Sequence, residues 1–395
     1  MRKRGPILSA LVLLAALPLA GGAWRGFPDG FFSFPPLVAS QPAHAPFSWP
    51  IFAVVAAIAL LAGGILFIGF RPPRPCTGPR PPRACTVGKS GPTVPPPPTK
   101  YPFPLHGRFG FALLLVSWFF AWSRLDLPGI AEQHTFFPLW LGFIFFLDGL
   151  VFRRAGRSLF ASRRRAFLLL FSVSALSWWY FEFLNRFVRN WWYPDRLDFG
   201  PVHYLVYSSL CFSTVLPAIF EIRALLMTLP ALRRRWSNGP RVRLPHAGAA
   251  AFFLGAALLP LIPLYPDPLF FAVWIAPLAL LAGALGLARV ESPFDPVRAG
   301  DWTPVLSLAL AALVCGFFWE LWNAFSSPRW AYAVPYVGRF RLFAMPAVGY
   351  AGYLPFGPVC ACFWLAWTGL LRRQGSGPGV QDSAGSDLLF LNPEP

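Results

Sequence analysis

Charge is scarce in this chain, and acidic charge scarcest: 16 Asp and Glu stand against 34 Lys and Arg, and charged residues fill only 13% of 395 positions. A soluble globular domain carries about 25%. With 56% hydrophobic residues, 41 Phe and 17 Trp, the composition excludes a soluble fold and requires a bilayer. Lysine is nearly missing, since 31 of the 34 cations are Arg. These fall in short runs between apolar segments, the pattern of topology signals and headgroup contacts rather than of a surface that reads nucleic-acid phosphates. The chain also lacks a P-loop, a dinucleotide-binding G-x-G-x-x-G, a nucleophile elbow and an H-E-x-x-H helix. ATP-driven transport within the chain and zincin-type proteolysis therefore have no support.

The six Cys show no C-x-x-C pair and no zinc spacing. Cys211, Cys315, Cys360 and Cys362 lie in apolar segments, as small packing residues do. Cys76 and Cys85 fall in a Pro-rich loop assigned to the cytoplasm, where a stable disulfide is not expected.

What the chain has is apolar runs. Met1-Arg2-Lys3-Arg4 and the apolar stretch 7–20 read either as a signal peptide ending near Gly21-Gly22-Ala23 or as a first transmembrane helix. Both readings put residue 25 outside. A second run covers 51–70, and 71–105 is a Pro/Arg-rich cytoplasmic linker containing Pro95-Pro96-Pro97-Pro98. Eight further spans follow at 109–122, 136–152, 166–183, 204–222, 248–264, 269–287, 305–322 and 347–371. The positive-inside rule tests this map. With the N-terminus in the cytoplasm, 26 Lys and Arg fall inside and 8 outside, so the alternation holds. The expectation is an all-α polytopic transmembrane bundle of about ten spans in a bacterial inner membrane, with both termini cytoplasmic and a disordered tail at 374–395.

Two aromatic runs carry embedded polar groups. Trp178-Trp179-Tyr180-Phe181-Glu182-Phe183-Leu184-Asn185-Arg186-Phe187 is matched 138 positions later by Phe317-Phe318-Trp319-Glu320-Leu321-Trp322-Asn323-Ala324-Phe325. Over 179–217 and 317–355 seven of 39 positions are identical, clustering as E-x-x-N-x-F-x-x-x-x-W, which pairs Trp192 with Trp330. This predicts a tandem four-helix repeat, 106–243 and 244–373, preceded by N-terminal membrane segments within 1–70. Four spans per unit give both copies the same orientation about an axis along the membrane normal. The second copy, with Phe318-Trp319-Glu320-x-x-Asn323 and Met345-Pro346-Ala347-Val348-Gly349-Tyr350, resembles uncharacterised multi-pass membrane proteins of bacteria, a resemblance that brings no activity with it. Leu216-Pro217-Ala218-Ile219-Phe220-Glu221 is similar to the Pro-and-acid motif of integral-membrane carotenoid cyclases but lacks their paired acids.

Glu and Asn three apart share one helix face, and an ionisable group in an apolar span needs a partner or a purpose. Glu182, Asn185, Glu320 and Asn323 are thus the leading ligand-binding candidates, near the outer interface, joined by Arg186, Arg329 and His203. One reading pairs each Glu with an outer-face Arg (Arg186, Arg189, Arg329, Arg339 or Arg341) and lets each Asn cap a loop. His134 and His203 add imidazoles on the same side without metal-ligand spacing. Asp148 and Glu221 read as snorkelling acids paired locally near Arg153 and Arg223. Three functions stay open: a protein binding or transporting a small polar, cationic or lipid-linked ligand at an outer-leaflet site, an enzyme acting on a lipid or isoprenoid, and a structural factor with salt-bridged acids. The sequence names no cofactor and no metal; the partners it implies are the lipid bilayer and a lipid or small-molecule ligand, with no nucleic acid.

Overall fold

The computed structural model describes residues 4–36, 41–70, 101–123, 125, 134–194 and 199–371. Most of the Pro/Arg-rich segment, Cys76, Cys85 and the C-terminal tail lie outside the described residues.

The protein is an all-α membrane bundle. Its principal helices are α1 (Gly5–Arg25), α2 (Trp49–Ile68), α3 (Leu105–Ser123), α4 (Phe136–Ala155), α5 (Arg164–Val188), α6 (Pro201–Phe212), α7 (Val215–Met227), α8 (Pro230–Trp236), α9 (Ala247–Leu264), α10 (Ala272–Leu287), α11 (Thr303–Asn323) and α12 (Tyr353–Leu371). Nine helical stretches among the described residues are long and apolar enough to cross a bilayer, with α6 and α7 counted as one. The span expected at 204–222 bends at Ser213-Thr214, where the Thr214 hydroxyl donates to the Cys211 carbonyl at 2.7 Å. The span expected at 269–287 is the 16-residue α10. At 1.5 Å per residue α10 is about 24 Å long, shorter than the hydrocarbon core, and it is not one of the nine.

Glycine sets the closest helix contacts. Between α3 and α4, a Cβ on Gly110 would stand 2.6 Å from Phe146 N and 2.8 Å from Gly142 O. Between α9 and α10, Gly255 meets Leu280 N and, at 2.7 Å, Ala276 O. Leu280 and Ala276 each follow Phe146 and Gly142 by 134 positions. Without Cβ atoms the backbones meet directly, and dispersion replaces the hydrophobic drive that lipid removes.

The helices cross-pack. α4 and α7 lie against each other, α7 lies against α11, and α12 lies against α10, α11 and α5. Trp140 of α4 packs on Trp319 of α11 at 5.3 Å, and Trp274 of α10 packs on Phe181 of α5 at 5.1 Å. α1 is built into this body. Ile7, Ala10 and Leu14 are buried, and Gly21 presses onto the backbone of Pro260 in α9. α2 is the opposite case, with Leu66 its one buried residue. It stands at the flank, with Leu66 O accepting from the buried Trp236 indole at one end and Ser48 N donating to Tyr336 O at the other.

Candidate functional site

α5 and α11 each end in the Glu-x-x-Asn motif, and at the same end of the bundle two short strands meet. β1 (Trp191–Trp192) and β2 (Ala331–Tyr332) pair antiparallel, Trp191 opposite Tyr332 and Trp192 opposite Ala331. Asn185 holds the first strand: its Nδ2 donates to Trp191 O at 2.8 Å and its Oδ1 accepts from Trp191 N at 3.3 Å. Asn323 does the same for the second, donating to Trp330 O at 2.8 Å and accepting from Trp330 N at 2.9 Å. A carboxamide presents one donor and one acceptor side by side. It thus completes both backbone groups of one residue as a neighbouring strand would. Trp191 and Trp330 are the matching residues, in place of the Trp192 and Trp330 that an ungapped alignment pairs. The second loop is one residue longer between Asn and Trp.

Each Glu gathers three aromatic donors on one oxygen. Glu182 Oε1 accepts from Trp178 Nε1 at 3.2 Å, Trp191 Nε1 at 3.0 Å and Tyr193 Oη at 2.8 Å. Glu320 Oε1 accepts from Tyr332 Oη at 2.6 Å, Tyr353 Oη at 3.3 Å and Trp330 Nε1 at 3.4 Å. Trp191 and Tyr193 answer to Trp330 and Tyr332. The third donor differs. Where the first site has Trp178 one turn before its Glu, the second has Gly316, and the ring of Tyr353 from α12 fills the space that glycine leaves. Burial first, and then the neighbouring carboxylate, hold the Tyr193 and Tyr332 phenols well above their ordinary range, so both remain proton donors.

Among the described residues no ion pair joins Glu182 or Glu320 to an Arg, though the charge of Arg186 stands close enough to act on Glu182. Arg186 turns its guanidinium to the carbonyls of Phe31 and Ser33, so it ties down the loop after α1. The hydrogen bonds to the two Glu side chains come from neutral N–H and O–H donors, and one Glu320 oxygen is without a partner among the described residues. Asp148 and Glu221 also depart from the expectation. Asp148 accepts from His106 and Ser158, while Arg223 reaches Ser307 at 3.0 Å. His203 stacks on Phe199 with centroids 3.9 Å apart and meets His134 Nε2 to Nε2 at 3.0 Å. Among the described residues no set of three or more His, Cys, Asp or Glu is arranged to hold a metal.

No protein-family model matches the chain, and neither the curated proteins nor the solved structures contain a detectable relative.

Beside the paired strands lies a cavity of about 1060 Å³. Its walls are Ile51, Val54 and Ile58 of α2, Tyr204, Tyr207 and Cys211 of α6, Trp274, Trp319 and Phe356 of the core, and Trp191, Tyr193, Trp330 and Tyr332 in and beside the strands. Arg329 lines it as well. Glu182, Asn185, Glu320, Asn323, Arg186 and His203 do not. The motif residues therefore stand behind the wall, and the aromatic groups they orient form it. Sequence reasoning singled out the carboxylates and Asn residues rather than the Trp and Tyr around them. The signal that marks the wall residues is their spacing, a Trp and then a Tyr two positions on, nine to twelve residues after each Glu.

Loops brace the cavity from above. Asp267 accepts from His44 Nδ1 at 2.7 Å and Ala45 N at 2.8 Å, and Asn190 Nδ2 donates to Phe270 O at 2.8 Å. Those bonds join the 41–48, 190–194 and 265–271 segments into one cover.

Proposed function

We propose that this protein binds an amphipathic, lipid-like ligand in the cavity beneath the paired strands, at the outer-leaflet end of a bacterial inner-membrane bundle. The observation that carries the reading is the lining: an enclosure of about 1060 Å³ walled mainly by Trp, Tyr, Phe and aliphatic side chains. Ligand pockets of this size and character bury chain-like or ring-like apolar bodies and orient them with a few polar groups. Arg329 and Tyr207 lie in the wall and supply polar groups of that kind. α2, packed so lightly, is the natural side from which an acyl or isoprenoid chain enters.

In this reading Glu182 and Glu320 are positioning residues. Each fixes two strand aromatics and one helix aromatic, which favours binding over a reaction in which either Glu serves as acid or base. The matching bond sets, the matching glycine contacts and the two cross-packed aromatic pairs support a tandem four-helix repeat related by a two-fold axis near the Trp192–Ala331 pair.

The test is the lipid that accompanies the purified protein. Extracted from nanodiscs, wild-type protein should retain a stoichiometric lipid or isoprenoid enriched over the bulk membrane. Val348→Trp, which fills the cavity from the 3-10 turn at 347–352, should lower it more than tenfold with the fold intact. Bound lipid no different from bulk composition would sink the reading.

A further inference from the structure

At the opposite end of the bundle a second polar cluster is buried in the core, independent of the cavity. Glu221 of α7 and Asp148 of α4 have no exposed surface. α4 and α7 pack together with Glu221 beside Asp148, and among the described residues neither Glu221 oxygen has a hydrogen-bond partner. Asp148, in contrast, is surrounded by donors: His106 Nε2 at 2.8 Å and Ser158 Oγ at 2.6 Å to one oxygen, and Phe160 N at 2.8 Å to the other. Asp148 is therefore the acceptor of the pair. Arg223, half a turn along from Glu221, donates to Ser307 of α11 and not to the acid on its own helix.

Two carboxylates in contact in an apolar interior repel, and an unpaired buried charge is what such an interior cannot hold. A hydrogen on Glu221 removes the repulsion, supplies the donor the pair lacks, and satisfies the orphaned carboxyl in one step. We infer that Asp148 and Glu221 form a proton-binding site, in which protonated Glu221 donates a hydrogen bond to Asp148 and His106 links the pair to solvent. His106 is placed for that role, since its side chain is 21% exposed while touching an Asp148 that is 0% exposed. It stands on the first turn of α3, at the surface end of a chain that runs from His106 to Asp148 to Glu221. Imidazole can take a proton on one nitrogen and release one from the other, so the relay needs no reagent beyond water. A metal ion is the competing occupant, and the described His, Cys, Asp and Glu side chains offer it no three-ligand geometry here.

Infrared spectroscopy of the full chain in nanodiscs tests the site. Wild-type protein at neutral pH should show the carbonyl stretch of a protonated carboxyl group, and Glu221→Gln should remove it. The amide of that variant can donate to Asp148 in place of the acid, so its thermal stability should stay near wild type, which separates loss of the proton from loss of the fold. His106→Phe, which keeps a ring in place, should slow deuteration of the same band at least tenfold. A band unaffected by Glu221→Gln, or displaced by adding sodium, potassium or calcium ions, overturns the proton site. Deuteration at the wild-type rate in His106→Phe overturns the relay. Lipid retention in the outer cavity should be unchanged in both variants, which keeps the two proposals separately testable.

Discussion

A single carboxylate oxygen accepting three aromatic N–H and O–H groups is the unit that both copies of the Glu-x-x-Asn motif depend on, and it predicts how substitutions there behave. Glu320→Gln keeps an acceptor oxygen within reach of Trp330, Tyr332 and Tyr353. It should shift stability by no more than about 1.5 kcal/mol in detergent unfolding. Glu320→Leu strands the Tyr332 and Tyr353 hydroxyls at about 1–3 kcal/mol each, while the Trp330 indole keeps the Tyr332 hydroxyl as its acceptor at 2.9 Å, and the unfolding midpoint should fall sharply. The exchange of Trp178 for the Gly316–Tyr353 pair makes a sharper prediction. Gly316→Trp alone should destabilise strongly, because the Tyr353 ring occupies that volume, while Gly316→Trp with Tyr353→Val rebuilds the first site's arrangement and should recover most of the loss. Unfolding of the two single variants and the double variant measures that coupling. The raised phenols of Tyr193 and Tyr332 give a further check: an absorbance titration should show the same number of tyrosines ionising near the ordinary value of 10.0 in wild type and in Tyr332→Phe.

Helices in this protein find their partners through backbone contact, and the element scale is where small residues matter. Gly110 in α3 and Gly255 in α9 occupy matching closest approaches. Val at either position should cost about 1–3 kcal/mol by forcing the pair apart, measured as a lowered unfolding midpoint. Gly21 of α1 presses onto Pro260, so a helix removed by a peptidase would leave an apolar groove on α9 and α10 open. The mature protein is accordingly expected to begin before residue 21, which N-terminal sequencing of the purified protein decides. These contacts explain why a bundle of many spans was legible from hydropathy and the partners were not. A run such as 248–264 announces its length and polarity, while the glycine that selects a neighbour is one small residue among several in the same apolar run.

For the whole molecule, the pairing of Trp191–Trp192 with Ala331–Tyr332 ties the loop after α5 to the loop after α11. Cysteines at Trp192 and Ala331, directly opposite one another, should form an intramolecular disulfide on oxidation, seen as two halves held together after cleavage of a protease site placed between them. Failure to cross-link would refute the juxtaposition. The Glu-x-x-Asn recurrence was readable because both copies keep the two residues that every hydrogen bond at their site needs. Trp191 was misaligned by one because the second loop carries an extra residue, and loop length leaves no periodic trace. The sequence by itself determined that this is a multi-span helical membrane protein with two polar motifs, since the cost of placing polar and charged groups in hydrocarbon writes spans and interruptions directly into composition. Only the tertiary structure decided which groups those motifs bond, giving Glu182 and Glu320 aromatic donors and bringing Asp148 against Glu221. Those partners come from helices and loops far apart in the chain, and contacts of that kind are fixed by packing, not by the spacing of residues along it.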